Sequence, residues 1–473
     1  MDPIVKYPDF TQLDALSTPL REYARLKCEQ GAETGAAALI GQLTETMRCT
    51  VRLLQELPDD AALSACEPNE LDAIRALRAP AQRRLWEALP PEDIWMDKLE
   101  GALLGRIIGC LLGVPVEGLS VESMRAWSEY IGKPFPPVSY WEEVQNPELW
   151  NCYGRQRGEY RKCALRSAPV DDDLAYTQLA LLILEEYGPD FTTEDVGEAW
   201  KKYLPVACTA EQAALDNLKK GVPAREAADR DNPFCQWIGA AIRSDGFGWA
   251  AAGLPELAAE MAWRDARLSH RRNGIYGEMF LAAAQSAAFA VSDPLDAVRA
   301  GMAEIPRECL LYRDLAWALE HCGAVRGYGD ARRLVDERFA GMHAVHTNNN
   351  LCLIVFGLKL AEGDLMRGLS QTVAMGLDSD CTAASAGSIL GAVLGKSAIA
   401  PELYECFPYG YLPEEHGGVF DTGYGQAVFR ACTQGAFPAV TAALGTCRRK
   451  NGEAAAVAGA RPVFPVFYGR SNG

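Results

Sequence analysis

Residues 170–188, VDDDLAYTQLALLILEEYG, set Asp171, Asp172 and Asp173 against a run that is nearly all apolar. An aspartate at a helix start accepts backbone N–H bonds and complements the dipole, which accounts for one of the three and for two at most. A third adjacent carboxylate adds like-charge repulsion, which a bound cation or a raised pKa relieves. Residues 376–395, GLDSDCTAASAGSILGAVLG, repeat the pattern, with Asp378 and Asp380 just before a second apolar, small-residue helix. Two acidic helix starts read as two halves of one hard-cation site, since carboxylate and hydroxyl oxygens suit Mg²⁺, Mn²⁺ or Ca²⁺. The five carboxylates suffice for two ions, held about 3.5–4 Å apart as in two-metal hydrolases.

Such a site needs elements that bring distant segments together. Gly101, Gly105, Gly109 and Gly113 recur every four residues, as do Ala383, Gly387, Gly391 and Gly395. Each set lays a smooth stripe along one helix face, which lets two backbones approach closely. If the two stripes pack antiparallel, Glu117 in the GVPVEG turn comes to lie over Asp378 and Asp380. The other reading is two unrelated helices with Glu117 solvated. Most of the chain has helical periodicity and alternating strand patterns are scarce. Three regions follow: helical residues 1–96, residues 97–400 with the acidic clusters, and residues 401–473 with aromatic and glycine-rich turns. The tail RPVFPVFYG, with two prolines and Arg461, suits an adherent strap better than a central strand.

Three further segments have the composition of site loops. GAAIRSDGFGWAAAG (239–253) carries Ser244, Asp245, Gly246, Phe247 and Gly248 between helices. Its N–H groups suit a phosphate and its aromatics a base, although an ordinary interhelical loop has the same look. WRDARLSHRRNGIYGEMFLAAA (263–284) supplies His270, Asn273 and Tyr276, and a lone histidine is more often structural. In HAVHTNNNLCL (343–353), capping explains at least one of Asn348–Asn350, and the His343/His346 pair lacks the further ligands a zinc site needs. GAVLGKS has three residues between its glycines where a P-loop has four.

Composition bounds the rest. A chain of 473 residues with 49% hydrophobic residues supports a large core. A net charge of −17 argues against nucleic acid as a partner, which requires a basic stripe. The 15 cysteines form no CxxC pair, so free thiols in a reducing cytoplasm are expected. No secretory signal is visible at the start, and the apolar stretch 101–118 is interrupted by Arg106 and Pro115, which argues against a membrane span.

In order and spacing, DKLEGALLGRIIGCLLGVPVEG, VDDDLAYTQLAL, WIGAAIRSDGFG, LSHRRNGIYGEMFLAAA and GLDSDCTAASAGSILG resemble the ADP-ribosylglycohydrolase family over roughly residues 97–400. Residues 1–96 resemble the helical extension of bacterial members. The resemblance implies an all-α, compact orthogonal helical bundle with two Mg²⁺ ions, Mn²⁺ being possible. It implies hydrolysis at ribose C1 of an ADP-ribose conjugate on protein or small molecule. Asp171, Asp172 and Asp173 fall on the family's Thr/Ser-Asp-Asp triplet, and Asp378, Asp380 and Cys381 on its Asp-x-Asp-Thr motif. Glu117 matches the glutamate that reaches the metal or substrate; Glu117, Asp172 and Asp378 are the expected catalytic residues, with Glu117 or one of Asp171 and Asp378 as general base or acid. His270 matches a histidine near the ribose, and the 239–249 loop matches the diphosphate cradle. The chain departs from the pattern at Asp171, where a hydroxyl residue is usual, at Cys110 in place of aspartate, and at Cys381, a poor Mg²⁺ partner.

Rival readings remain at this level. A prenyltransferase-like enzyme would want carboxylates at i and i+4, but Asp173 is followed there by Thr177. The same fold acting on free nucleosides or other N-ribosides is a second rival, against which the 239–249 loop argues by suiting a diphosphate; a non-catalytic descendant is kept open by Cys381. Oligomeric state is not legible.

Overall fold

The computed structural model describes residues 5–86, 90–144, 160–165, 168–169 and 171–405. The aromatic turns after residue 405 and the RPVFPVFYG tail, with its expected strap, lie outside them. Among the described residues there is no strand. Two isolated β-bridges, Arg78–Pro306 and Trp237–His346, join irregular segments.

Contacts divide the chain into two units, Met1–Ala65 with Phe339–Met342, and a second that runs from Cys66 to Arg338 and resumes at His343. The first contains α1 (Thr11–Glu29) and α2 (Glu33–Gln55), packed on each other across a turn at Gly31, whose φ of +81° favours glycine. Asp9 Oδ1 accepts the Thr11 N–H at 2.9 Å at the start of α1.

α3 (Ala61–Cys66) spans the division, and the second unit continues with α4 (Leu71–Ala76), α5 (Glu92–Gly113), α6 (Val121–Tyr130), α7 (Asp172–Tyr187), α8 (Thr193–Tyr203) and α9 (Thr209–Lys219). There follow α10 (Asp245–Ala250), α11 (Pro255–Ala266), α12 (Asn273–Ala288), α13 (Pro294–Met302), α14 (Leu310–His321) and α15 (Tyr328–Arg338). α16 (Thr347–Ala361), α17 (Leu365–Ala374) and α18 (Ser379–Leu394) complete the bundle. Residues 66–78, which the sequence groups with the N-terminal region, pack inside this second unit. Glu67 is buried and accepts from Asn273 Nδ2 at 3.0 Å, Arg272 Nε at 2.7 Å and the Leu310 N–H at 2.8 Å.

The core is the pair α5 and α18. A Cβ placed on Gly105 would lie 2.0 Å from the Gly387 carbonyl oxygen, one on Gly109 2.2 Å from Ala383 O, and one on Gly113 2.4 Å from Asp380 Cα. The two glycine stripes therefore run antiparallel in backbone-to-backbone contact, which any side chain would break. α16, α17 and α12 pack around α18. The segment Asp93–Val116, long and apolar enough to cross a bilayer, has 94% of an apolar 18-residue stretch buried within the protein and contains most of this core helix.

Candidate metal centre

The antiparallel pairing delivers the end of α5 to the start of α18. Ser379 Oγ donates to the Gly113 carbonyl at 3.0 Å, and the Gly118 N–H donates to the Leu377 carbonyl at 3.1 Å. Leu377 has a φ of +62°, a strained conformation for a branched residue, directly before Asp378. The Asp378 N–H donates to Asn350 Oδ1 at 3.3 Å, which ties α16 to the same turn.

From the other side comes the start of α7. Asp171 is its N-cap, extended at φ −145° and ψ 148°, with Oδ1 accepting from the Asp173 N–H at 3.1 Å. Asp171 Oδ2 accepts from the Tyr160 hydroxyl at 3.3 Å. Oxygens of Asp171, Asp173 and Asp380 all lie within 4.8 Å of one another, and so do ligand atoms of Asp378, Asp380 and Cys381. All five residues are buried, and Asp380 belongs to both groups. Asp378 Oδ1 and Asp380 Oδ1 are buried without a hydrogen-bond partner. Cys381 Sγ donates to Asp173 Oδ2 at 3.2 Å.

Burial first, then neighbouring carboxylates, push Asp380 well above the usual carboxylate range. Burial does the same to Asp173, where the Arg106 guanidinium opposes it and Asp171, Asp172 and Asp378 add to it. Asp378 is raised, again chiefly by burial. Mutually repelling, desolvated carboxylates with orphaned oxygens are chemically complementary to a divalent cation.

Arg106 is the residue that sequence reasoning missed. Fully buried in α5, it donates through Nη2 to Asp173 Oδ1 at 3.0 Å and to the Asp173 and Ile242 carbonyls at 2.8 and 2.9 Å. Its Nη1 pairs with Asp245 Oδ2 at 2.8 Å. The signal was present as one charge in the otherwise apolar run of residues 101–116, because a buried arginine is rare unless paired.

The remaining expected residues lie as follows. Glu117 is exposed just beyond a 3₁₀ turn (Val114–Val116), and its charge raises Asp380. Asp172 is exposed at the first turn of α7, belongs to neither group, and its charge raises Asp378. Ser244, Asp245, Gly246, Phe247 and Gly248, expected as a phosphate cradle between helices, are buried and mostly helical. Ser244 Oγ donates to the Ala241 carbonyl at 2.8 Å, and the Gly248 N–H to the Ser244 carbonyl at 2.9 Å. Phe247 packs on Phe191 with ring centroids 5.3 Å apart. Asp245 pairs with Arg106, so this segment backs the acidic groups from the interior.

His270 is fully buried, with Nδ1 2.8 Å from Ser269 Oγ, and burial first, then Arg243, holds it well below the usual histidine range. Asn273 Nδ2 donates to Glu67 and Gln236, and the Tyr276 hydroxyl donates to the Pro68 carbonyl. The bonds to Glu67 and Pro68 join α12 to the 66–78 segment, and neither Asn273 nor Tyr276 belongs to the two acidic groups. At α16 the cap is His346, whose Nδ1 accepts the Asn348 N–H at 3.1 Å, so capping falls to the histidine rather than to an asparagine. His343 stacks on Trp237 at 4.0 Å.

No curated protein matches this chain significantly. A solved structure described as an "ADP-ribosylglycohydrolase-related protein complex" is 21% identical, with a TM-score of 0.42, covering 72% of this chain and 99% of that one. Residues 91–421, more than half of the sequence, match the sequence model described as ADP-ribosylglycohydrolase. The chain belongs to the ADP-ribosylglycohydrolase family.

Proposed function

We propose that this protein is a Mg²⁺-dependent hydrolase that cleaves the glycosidic bond at ribose C1 of an ADP-ribose conjugate. One observation carries the reading: two converging groups of ligand atoms share Asp380. Asp171, Asp173 and Asp380 offer only carboxylate oxygens, and an orphaned buried oxygen on Asp380 suits a hard divalent ion. When bound, such ions hold sugar hydroxyls and lower the pKa of a water.

The protein's own residues supply position and proton handling. Arg106, anchored by Asp245, fixes the orientation of Asp173 from behind. Asn350 and the Gly113 contact fix the start of α18. Glu117, exposed and electrostatically coupled to Asp380, is suited to align a water or protonate a leaving group. The transition state is oxocarbenium-like, so orientation and electrostatics supply most of the acceleration.

The interior placement of Ser244–Gly248 supports a second reading, the same chemistry on a free nucleoside or other N-riboside, because buried, mostly helical residues are less suited to cradle a diphosphate. A release assay with Mg²⁺ separates the two. ADP-ribosylarginine, ADP-ribosylserine, O-acetyl-ADP-ribose and simple nucleosides are compared, with products resolved by chromatography. Release of ADP-ribose supports the first reading, and release of base from nucleosides alone supports the second. Absence of release from every substrate contradicts both.

A further inference from the structure

We infer that the Asp378–Asp380–Cys381 group binds a thiolate-accepting divalent transition ion, Zn²⁺ foremost, and not a second Mg²⁺. The inference rests on the metal reading above and gives the centre two chemically unlike halves.

The donor sets differ. The first group is all carboxylate, whereas the second places Cys381 Sγ within 4.8 Å of ligand oxygens of both Asp378 and Asp380. Asp378 and Asp380 are each 4% exposed, and each has a buried Oδ1 without a hydrogen-bond partner. Oxygen atoms that have lost water and gained no donor are left for a cation. Mg²⁺ demands oxygen ligands in near-ideal octahedral geometry and does not take sulfur. Zn²⁺ and Co²⁺ accept mixed sulfur and oxygen donors, and three protein ligands with one open position is the pattern of catalytic zinc sites. Cys381 is 7% exposed and its S–H is directed at Asp173 Oδ2, so the sulfur lies between the two groups. Ligation through Sγ replaces that S–H, its proton leaving to bulk water.

Two other thiols define the controls. Cys110 on α5 is fully buried, and burial first, then the neighbouring charges of Asp171, Asp173 and Asp380, push its thiol up, yet it belongs to neither group. Cys208 is exposed at the start of α9 and belongs to neither group.

The test is titration of chelator-stripped protein with Co²⁺ alone, followed by near-ultraviolet absorption, where a thiolate-to-cobalt charge-transfer band reports Co–S bonding. The wild type shows the band. It persists in Cys110→Ala and Cys208→Ser and is lost in Cys381→Ser, whose second-equivalent Zn²⁺ affinity falls on the order of 100-fold. Mg²⁺ in large excess does not remove the band from the wild type. No band in the wild type, a band that survives Cys381→Ser, or a band abolished by equimolar Mg²⁺ overturns the inference. The wild-type measurements decide the matter even if Cys381→Ser does not fold. A band in a protein that releases nothing from any substrate supports this inference and contradicts only the hydrolase reading; turnover without a band contradicts this inference alone.

Discussion

Asp380 contributes a ligand atom to both acidic groups, so no other carboxylate of the centre is as exposed to the consequences of substitution. Asp380→Asn is expected to lower the rate of ribosyl release by about 10²–10³-fold at unchanged fold, with Asp173→Asn close behind. Asp172→Asn, outside both groups and exposed, is expected to cost less than either. Steady-state kinetics on the three variants checks the order, and a smaller loss in Asp380→Asn than in Asp172→Asn contradicts the assignment. A second residue-scale prediction concerns Glu211, buried against Arg243 at 2.8 Å and pushed up to about 7 by burial, with Arg243 opposing. An unfolded glutamate titrates near 4.3, so the folded state holds the proton more tightly. Its contribution to stability is complete below the unfolded value and is lost as pH rises through about 7. Thermal midpoints of wild type and Glu211→Gln between those limits isolate the effect: the decline with rising pH is shallower in the variant. Parallel profiles contradict it.

At the scale of elements, the α5–α18 crossing has no room for a methyl group. Gly105→Ala drives a Cβ to 2.0 Å from a backbone carbonyl that cannot move aside. A loss of at least about 2 kcal/mol in unfolding free energy is expected. Gly41→Ala in α2, where nothing lies within 4 Å, is expected to stabilise its helix by about 0.5–1 kcal/mol. Denaturant unfolding measures both, and equal effects would show that the crossing is not tight. This crossing was legible in the sequence because small residues at a spacing of four mark one helix face whatever surrounds them. The acidic helix starts were legible for the same local reason, since a cap position is read from its neighbours in the chain. The 244–248 segment was not. Its glycines and aromatics look the same in a ligand loop and in a core helix, and only packing on Ala180, Phe191 and Gln285 decides between them. Arg106 was passed over as an interruption of an apolar run, because its two partners lie 67 and 139 residues away.

For the whole molecule, the contact division after Ala65 has a direct consequence. Residues 66–78 are stitched into the second unit by Arg75 to Glu260 at 2.7 Å, Arg78 to Glu256 at 2.7 Å and the buried Glu67. In the sequence the polar, charged helices of 1–96 look alike, and the partners of residues 66–78 are remote. Deleting residues 1–65 is expected to leave cooperative unfolding and cation binding in the remainder, while deleting 1–96 abolishes both. Circular dichroism melts of the two truncations test this, and a folded 97–473 fragment with the same midpoint contradicts it.

The central claim is that carboxylates from two distant helix starts converge to hold a divalent cation. Anomalous X-ray diffraction from crystals grown in Mn²⁺ tests it most directly. A peak coordinated by Asp171, Asp173 and Asp380 is the result this account predicts. Clear density for those three side chains with no peak among them would contradict it.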